Sequence, residues 1–291
     1  MKLLFDIILF GCVMSASPMS LIEAFKDRHS VRIYSGKSLT QSQINSISQI
    51  ISEVNSLETP FHSLGVEVSQ TEVGLGNPSV IRNESGFIVC KIPANRSPER
   101  TDITDVCYLA HHVMMRMTQN HINTIWIAGT YDQNKAQRRF KGYLIPSVIA
   151  FGNGESSPQQ NERLKMMMGI PSGRFPFDQL FYDLNANKRI TENDLQSNEY
   201  PHYMKDFLTA LRSGPSAINQ QPWRFAIAGK EVHLFDAKFN SYSPFDMGIA
   251  LANLHLLAEI RGGKCTFEVR NPAPEAPPSF GVYIATAIYE E

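Results

Sequence analysis

The sequence predicts an α+β protein made of two tandem half-units that pack on each other as the subunits of a dimer do. The first observation is a repeated spacing. Asp105 and Asp246 each lie three positions after another polar residue at the start of a predicted helix, and a strand aromatic, Trp126 or Phe267, follows 21 positions later. The second is that the Pro-Ser start and apolar strand of "IPSVIAFG" recur in "PPSFGVYIA". Neither half looks complete alone.

The first half, residues 19–155, alternates predicted helices and strands. "SLIEAFKDR" has apolar residues at helical spacing, and "LTQSQINSISQIISEVNSL" is amphipathic, with a capping box formed by Thr40 and Gln43. "GFIVCKI" predicts a buried strand, and "DITDVCYLAHHVMMRMTQ" predicts a helix with an apolar face. "NTIWIAG" and "LIPSVIAFG" predict two further strands.

The second half, residues 176–291, follows a polar stretch rich in Gly, Ser, Gln and Pro, and we interpret residues 156–175 as a linker. "YPHYMKDFLTALRS" predicts a helix that ends before Gly214-Pro215. "PWRFAIAGKEVHLFDAK" predicts a hairpin turning at Gly229-Lys230, and "SPFDMGIALANLHLLAEIRGG" predicts a helix. "KCTFEV" and "FGVYIATAIY" predict the last strands.

Composition is compatible with a large core and excludes some classes of partner. Hydrophobic residues make up 43% of the 291 positions and charged residues 19%, which argues against global disorder. The 27 basic and 28 acidic residues nearly cancel, so a broad nucleic-acid surface is not expected. A local anion site stays compatible with this balance.

Residues 1–18 are assigned to a leader or signal-like segment outside the fold. The apolar run from Leu3 to Met14 has 12 positions, too few to span a bilayer, so no membrane span is expected. Lys2 and the small-residue end are typical of a secretory signal, whereas Asp6 interrupts its apolar core. A signal peptide and an upstream-extended start are equally supported. The protein is therefore expected to be cytoplasmic, or secreted if the segment is cleaved.

Several common chemistries find no support. The cysteines Cys90, Cys107 and Cys265 lie in apolar runs and are interpreted as buried structural thiols, and no Cys-x-x-Cys pair with Cys12 or any other exists. There is no His-Glu-x-x-His zinc motif, no complete dinucleotide fingerprint and no Gly-x-Ser-x-Gly nucleophile.

Two short motifs carry the functional hypothesis. "SGPSAINQQPWRF" resembles the flavin-dependent nitroreductase family, whose members carry a Pro-Ser-x-x-Asn-x-Gln-Pro-Trp-x-Phe segment, here residues 215–225. The family also carries an Arg-x-Ser-x-Arg/Lys segment after its first helix, here residues 28–32 within "DRHSVRIY". "TIWIAGTYD" is similar to a third landmark, a strand that follows the long central helix. The resemblance covers nearly the whole chain after residue 19 and implies a nitroreductase-like fold.

The chain departs from ordinary members of this family in the distribution of the motifs. Those members are homodimers with both motifs in every subunit and with flavin sites at the dimer interface. Here the first half has "SLETPFHSLGV" where the Asn-Gln-Pro-Trp segment belongs, and the second has "FPFDQLFYDLN" where the Arg-Ser-Arg segment belongs. This is similar to a fused-repeat branch of the family and implies one flavin site per chain in a pseudo-dimeric monomer.

Arg28, Ser30 and Arg32 have the donor types that the phosphate of FMN needs, because paired guanidinium groups offer planar, bidentate donors. The alternative is a solvated helix end whose charged residues face water. His29 lies inside the same segment and is included in the candidate cofactor site with it.

In the second motif, Asn219 can donate and accept together, as the edge of a flavin ring requires. Asn219 and Ser216 could equally cap a short helical turn after Pro215, and Ala217 is carried over with them. The resemblance places Gly129 near the reactive part of the ring, although an ordinary strand end explains it too. Asn77 contacts the flavin or simply forms a turn.

The resemblance implies an FMN-dependent oxidoreductase that passes electrons from NAD(P)H through FMN to nitroaromatics, quinones or similar small-molecule oxidants. No side chain is assigned as a catalytic acid or base, because the flavin supplies the electron chemistry. Two alternatives stay open: a flavin-binding protein with little turnover, and a structural relic of the fold that binds no flavin.

Overall fold

The structure, a computed structural model, describes residues 17–155, 157–197 and 199–290. Most of the predicted leader, including Cys12, therefore lies outside the described residues. The helices within those ranges are α1 (Leu21–Asp27), α2 (Gln41–Val54), α3 (Arg100–Gln119), α4 (Gln133–Arg139), α5 (Pro158–Met167), α6 (Phe177–Leu180), α7 (His202–Arg212) and α8 (Ser243–Ile260). Two short 3-10 helices span Ala217–Asn219 and Pro278–Phe280.

One antiparallel sheet is formed by the first half. Its strands are β1 (Glu67–Thr71), β2 (Gly86–Pro93), β3 (Asn123–Ile127), β4 (Tyr143–Leu144) and β5 (Val148–Gly152). Their order is β1-β2-β5-β3, and the short β4 pairs with β2. The apolar run of β2 is buried because it lies at the centre of this sheet, as the run "GFIVCKI" predicted.

A second sheet is formed by residues of the second half. Its strands are β6 (Phe181–Asp183), β7 (Lys188–Arg189), β8 (Trp223–Ala228), β9 (Glu231–Asp236), β10 (Lys264–Glu268) and β11 (Val282–Glu290). Their order is β10-β11-β9-β8-β6-β7, with only β6 and β8 parallel. The predicted hairpin is confirmed, since Ala228 pairs with Glu231 across the turn Gly229-Lys230. The α+β fold class is confirmed by both sheets together with the helices.

The two central helices, α3 and α8, pack directly on each other and join the halves. A Cβ atom built on Gly248 would lie 2.3 Å from the Thr104 carbonyl oxygen, so the backbones approach as closely as glycine allows. Polar contacts also cross the interface. His111 Nε2 lies 2.8 Å from Asn253 Oδ1, and Arg116 Nη2 donates to Glu259 at 2.6 Å.

Helix α5 lies within the segment that we interpreted as a linker. It begins with a capping box, because Ser157 Oγ accepts from the Gln160 backbone N–H while Gln160 Oε1 accepts from the Ser157 backbone N–H. The helix has little apolar surface to bury, and its best-buried described side chain is that of Asn161. The periodicity that predicts helices therefore gave no signal here.

The prediction on thiols falls on described residues except for Cys12, whereas the apolar run from Leu3 to Met14, on which the membrane-span prediction rests, lies outside them. Cys90 and Cys107 are buried and Cys265 is half-buried, and all three are free thiols. Across the described ranges, no helix has both the length and the apolar character needed to cross a membrane.

We predict that Gly248→Ala destabilises the protein by about 2–3 kcal/mol, because the added methyl group overlaps the α3 backbone in a well-packed interface. Alanine's higher helix propensity, worth about 1 kcal/mol, offsets part of this cost. Gly74→Ala is the matched control, since a Cβ atom there meets nothing within 4 Å. Urea unfolding of both variants measures the difference, and equal midpoints would show that α3 and α8 do not need this approach.

Candidate functional site

The first motif leaves the end of α1 and joins the edge of the first sheet. Arg28 ends α1, and its backbone N–H donates to the Ala24 carbonyl. Ser30 pairs with Thr124 at the start of β3, and the next backbone N–H donates to the Thr124 carbonyl at 3.1 Å. Arg32 is only 8% exposed. The segment thus follows the end of a helix, but the side chain of Arg32 is buried rather than solvated.

The second motif connects α7 to β8 through a strained turn. Three of its non-glycine residues have positive φ: Ile218 (43°), Asn219 (57°) and Gln221 (46°). The left-handed region is tolerated by Asn but is unusual for a β-branched residue such as Ile218. The turn is held from below, because the Ala217 backbone N–H donates to Asp246 Oδ1 at 2.9 Å. Strain of this kind concentrates at functional sites in proteins.

The side chain of Arg28, in the first motif, reaches the chain just before the second motif. Arg28 Nη2 donates to the Ser213 carbonyl at 3.3 Å, over a separation of 185 positions. Ser213 lies two residues before Pro215, where the second motif begins. Arg28 therefore reaches the chain two residues before the segment that the resemblance assigns to the same cofactor.

A segment from the predicted linker covers the second motif. We call residues 171–175 the strap. Asn219 Nδ2 donates to the Pro171 and Gly173 carbonyls at 3.0 and 2.8 Å, and Gln221 Oε1 accepts from the Phe175 backbone N–H at 2.9 Å. Both amide hydrogens of Asn219 are thus used by the strap.

Arg174, on the strap, fastens it to the end of α7. Its Nη1 donates to the Gly214 carbonyl at 2.6 Å and to Asn219 Oδ1 at 3.3 Å, and its Nη2 donates to the Ser213 carbonyl at 2.7 Å. Arg212 also holds the strap, since its Nε donates to the Phe175 carbonyl at 2.7 Å. The carbonyl of Ser213 accepts from two arginines at once.

Positive charge accumulates where the motifs meet. Within the described ranges, Arg28, Arg32 and Arg174 form no ion pair with a carboxylate. Burial lowers the pKa of all three guanidinium groups, and the charge of Arg174 lowers the pKa of Arg28 further. Glu162 opposes the shift for Arg32 and Arg174.

Arg32 carries the clearest sign of an anion site. Its buried Nε has no hydrogen-bond partner among the described residues, while its backbone N–H donates to Asn161 Oδ1 at 3.2 Å. A buried guanidinium donor without an acceptor is costly unless a ligand supplies one. The arginines, the burial of Arg32 and its unused donor fit a phosphate group such as the one that FMN carries.

The remaining predicted site residues lie in the first half. Asn77 is exposed, and its Oδ1 accepts from the Ser79 backbone N–H at 3.0 Å, as a turn-forming residue does. A bridge between Gly76 and Tyr131 puts its loop beside the loop that contains Gly129. Gly129 is exposed, and a Cβ atom there meets nothing within 4 Å. Its backbone is open to a ligand.

The segment around β3 connects these residues to the first motif. Ser30 pairs near the start of the strand, and Gly129 lies two positions beyond its end, a span of about 16 Å at 3.3 Å per residue. His29 lies next to Ser30, where its Nδ1 is 2.8 Å from the Asp27 carbonyl oxygen. Among the described residues, the side chain of His29 has this local contact and no hydrogen bond to the second motif.

Comparison with known proteins identifies the family. A family model described as "Putative TM nitroreductase" matches residues 20–258. The chain belongs to this nitroreductase family. A "putative nitroreductase" from Thermotoga maritima shares 19% identity and a TM-score of 0.60, with 94% of this chain and 95% of that chain covered. Among proteins with curated descriptions, none matches significantly.

A second solved structure is similar over part of the chain. It is a "putative nitroreductase" from Exiguobacterium sibiricum in complex with FMN, at 13% identity and a TM-score of 0.42. The similarity covers 56% of this chain and 96% of that chain. The nitroreductase-like fold of the present protein, predicted from the motifs, is confirmed by the family match and the Thermotoga structure.

Asp246 contacts the second motif through the Ala217 N–H, a role that the sequence did not reveal. It is 1% exposed, and its Oδ2 has no hydrogen-bond partner among the described residues. The pKa of this carboxyl is raised to about 8, mainly by burial and to a smaller extent by the charge of Asp236, while the hydrogen bond from the Ala217 N–H acts in the opposite direction. At neutral pH the group beneath the second motif is therefore mostly protonated and uncharged.

Arg174 and Asp246 were missed for different reasons. Arg174 lies in a segment that reads as a linker, and all its acceptors belong to residues 39–45 positions away. In the sequence, Asp246 contributes only to the spacing that it shares with Asp105. Its signal was its place in the first turn of an apolar helix, where an acidic residue commonly accepts from backbone N–H groups.

We predict that the free energy of unfolding of the wild type falls as pH rises from about 5 to about 8, and that this fall is smaller in Asp246→Asn. The folded protein binds this proton more tightly than the unfolded chain, whose Asp pKa is near 3.8, so stability falls as pH rises towards the folded pKa of about 8. The slope reaches at most about 1.4 kcal/mol per pH unit. Asparagine keeps an acceptor for the Ala217 N–H and carries no charge. Chemical unfolding across this range measures the effect.

Asp105→Asn is the matched contrast. Asp105 accepts from Thr59 Oγ1, from the Phe61 N–H and from the Ser63 N–H. In Asp105→Asn the NH₂ group would replace one of the two accepting oxygens and would point at these donors. This variant should lose stability at every pH. Parallel pH profiles of the wild type and Asp246→Asn would contradict our assignment of the titrating group.

Proposed function

We propose that this chain is an FMN-dependent oxidoreductase of nitroreductase type that binds one FMN between its two halves. The observation that supports this most strongly is the contact of Arg28 with the Ser213 carbonyl, beside the second motif. It brings arginines that form no ion pair among the described residues close to a strained turn from the other half. Membership of the family supplies the activity class.

In this proposal the phosphate end of FMN is bound by the first motif. Arg28 and Arg32 provide guanidinium donors, Ser30 provides a hydroxyl donor, and His29 contributes from the same segment. The unpartnered Nε of Arg32 supports this assignment, because it is a buried donor that a phosphate oxygen would satisfy.

The ring end would extend along β3 towards Gly129 and Asn77, and across to the second motif. Gly129 would offer its backbone N–H, and Asn219 its side-chain amide. Pro215, Ser216 and Ala217 would line the ring with the backbone of the strained turn. Ser216 also shapes that turn, because its Oγ accepts from the Gln221 backbone N–H at 2.9 Å.

When bound, FMN would transfer electrons from NAD(P)H to a nitroaromatic, quinone or similar small-molecule acceptor. The residues of the chain bind and orient the cofactor, and the strap limits the access of water to the second motif. No proton-transferring side chain needs to be assigned, and we assign none.

We further propose that the chain is an internal repeat that imitates a dimer. The order β3-β5-β2-β1 in one sheet corresponds to β10-β11-β9-β8 in the other. α3 and α8 occupy corresponding places, and Asp105 and Asp246 each accept a backbone N–H from the loop before β1 or β8, respectively. The halves would be residues 19–155 and 176–291, joined by residues 156–175.

One observation favours a second candidate function, a flavin-binding or degenerate nitroreductase without turnover. Both amide hydrogens of Asn219 are donated to the strap, which leaves the side chain without a donor for the ring. Such a protein would bind FMN yet reduce no acceptor.

For location we propose the cytoplasm, or secretion if residues 1–18 are a cleaved signal peptide.

We predict that the purified protein contains about one FMN per chain in a particle with the mass of one chain, because the two motifs occur once each and the halves already bury the α3–α8 interface. Light scattering during gel filtration, with flavin absorbance recorded on the same peak and the released flavin identified, tests this. Two flavins per chain, FAD instead of FMN, or a dimer that loses flavin on dilution would contradict it.

We predict that Arg28→Ala and Arg32→Ala weaken FMN binding by roughly one to two orders of magnitude, because a charge-assisted hydrogen bond contributes about 1.5–3 kcal/mol. Asn219→Ala should weaken FMN less but shift its visible absorbance, since this residue acts at the ring. Excess FMN should restore the activity of Arg28→Ala more than that of Asn219→Ala.

Fluorescence titration of the apo-proteins measures these affinities, with Arg138→Ala on the exposed end of α4 as the control. The fold should tolerate the loss of Arg28, because Arg174 also donates to the Ser213 carbonyl. FMN binding that is unchanged in both motif variants would mean that the first motif is only a helix end.

A further inference from the structure

An apolar cavity lies at the end of α7 that is remote from the two motifs. It has a volume of about 210 Å³ and is bounded by α7, by the hairpin of β8 and β9, by the end of β11 and by the end of α8. The other end of α7 is Arg212, next to the Ser213 carbonyl that accepts from Arg28. At about 1.5 Å per residue, the length of α7 separates the cavity from that contact by roughly 15 Å. The cavity is therefore distinct from the candidate cofactor site.

The walls of this cavity are apolar. Three of its lining side chains are almost fully buried, with exposed fractions of 7% for Ile227, 3% for Val232 and 1% for Ala258, and they form its floor. Met204 and Phe207, on α7, are half-buried and complete the wall. An apolar ligand that enters such a cavity removes its own apolar surface and that of the wall from water, which favours binding.

Aromatic rings make up much of the lining. The rings of Phe207 and Tyr289 meet edge to face, with their centroids 5.7 Å apart. The hydroxyl group of Tyr289 donates to the Leu254 carbonyl at 2.9 Å, so its polar atom is already satisfied within the protein. The ring of Tyr203 also lines the cavity and is 45% exposed. A flat aromatic ligand would extend this arrangement of rings.

The rim of the cavity carries positive charge. The guanidinium carbon of Arg261 lies 3.9 Å from the centroid of the Tyr203 ring. Stacking of this kind leaves the in-plane N–H donors free for an acceptor. Among the residues that the structure describes, Arg261 forms no ion pair with a carboxylate. Lys230 adds a second basic group to the lining, against one acidic group, Glu290.

The charge of Arg261 also acts inside the cavity. Burial raises the pKa of the Tyr289 phenol well above its usual value, whereas the charge of Arg261 acts to lower it. The phenol is thus uncharged at neutral pH and does not compete for the guanidinium. The cavity therefore combines an aromatic, apolar interior with a cation at its entrance, and a planar guanidinium matches a carboxylate in geometry.

We propose that this cavity binds a small aromatic carboxylate, with its ring against Phe207 and Tyr289 and its carboxylate on the guanidinium of Arg261. Its volume is below the range of about 300–1,000 Å³ that is typical of sites for drug-sized ligands, so the ligand has one or two rings. The proposal adds a second binding site to the chain and does not rest on the proposed function.

Calorimetric titration of the FMN-saturated protein with 2-naphthoate tests this, because added FMN keeps the candidate cofactor site occupied. We expect saturable binding of one 2-naphthoate per chain. The amide 2-naphthamide has the same rings without the charge and should bind about fivefold more weakly. Octanoate has the charge without a ring and should also bind several-fold more weakly.

Three variants separate the roles of charge and cavity. Arg261→Gln should weaken 2-naphthoate by about fivefold and leave 2-naphthamide unchanged. Lys205→Gln is the matched control, because Lys205 is exposed on α7 and does not line the cavity, and it should change neither ligand. Ala258→Met places a longer side chain in the cavity and should weaken both aromatic ligands by at least about tenfold.

The proposal is overturned if 2-naphthoate does not bind, if octanoate or 2-naphthamide binds as tightly, or if Arg261→Gln has no more effect than Lys205→Gln. Arg28→Ala should bind 2-naphthoate as the wild type does. A loss of binding in Arg28→Ala, with binding retained in Ala258→Met, would place the acid in the candidate cofactor site and would also overturn the proposal.

Failure of the proposed function would be visible separately. If the protein binds no FMN, the proposed function fails, and the same titration without FMN still tests the cavity. Should Ala258→Met not fold, Met204→Ala takes its place, since it removes part of the wall and should weaken 2-naphthoate and 2-naphthamide by the same factor. Wild-type affinity of Met204→Ala for both ligands would then overturn the proposal.

Discussion

The close approach of α3 and α8 at Gly248 determines where the two motifs can meet. Because the helix backbones touch there, His111 reaches Asn253 on the facing helix. The amide of Asn253 in turn lies against Gly214, where a Cβ atom would be 2.9 Å from its Nδ2. Gly214 follows Ser213, whose carbonyl accepts from Arg28. A chain of direct contacts thus leads from the helix pair to the candidate cofactor site.

The sequence predicted those parts of the molecule that repeat a local pattern. The isoleucine periodicity and the Thr40–Gln43 capping box gave α2, and continuous apolar runs gave β2 and β5. The sequence did not predict the strap or α5, because α5 has a capping box but hardly any apolar face. The Arg28–Ser213 contact depends on the packing of two halves, which no local pattern contains, although the motif resemblance pointed to the same pairing.

Local conformation was harder to predict at the second motif. Nothing in "PSAINQQPW" announces a positive φ at Ile218, since a β-branched residue there opposes local preference. The turn is held by contacts on both sides, from Asp246 beneath and from the strap above. Tertiary contacts therefore impose this strained backbone. The sequence indicates that a site is present here, but it does not indicate the backbone conformation of the site.

The titratable groups around the motifs leave the arginine charges unbalanced. His111 contributes no positive charge, because burial, with the nearby charge of Arg28, lowers its pKa to about 3. Asp246 contributes little negative charge at neutral pH, because burial raises its pKa to about 8. These two buried neighbours are thus held mostly neutral and do not cancel the positive charge of Arg28, Arg32 and Arg174. An incoming phosphate would meet this charge directly, without first displacing a protein carboxylate from an ion pair with any of these arginines among the described residues.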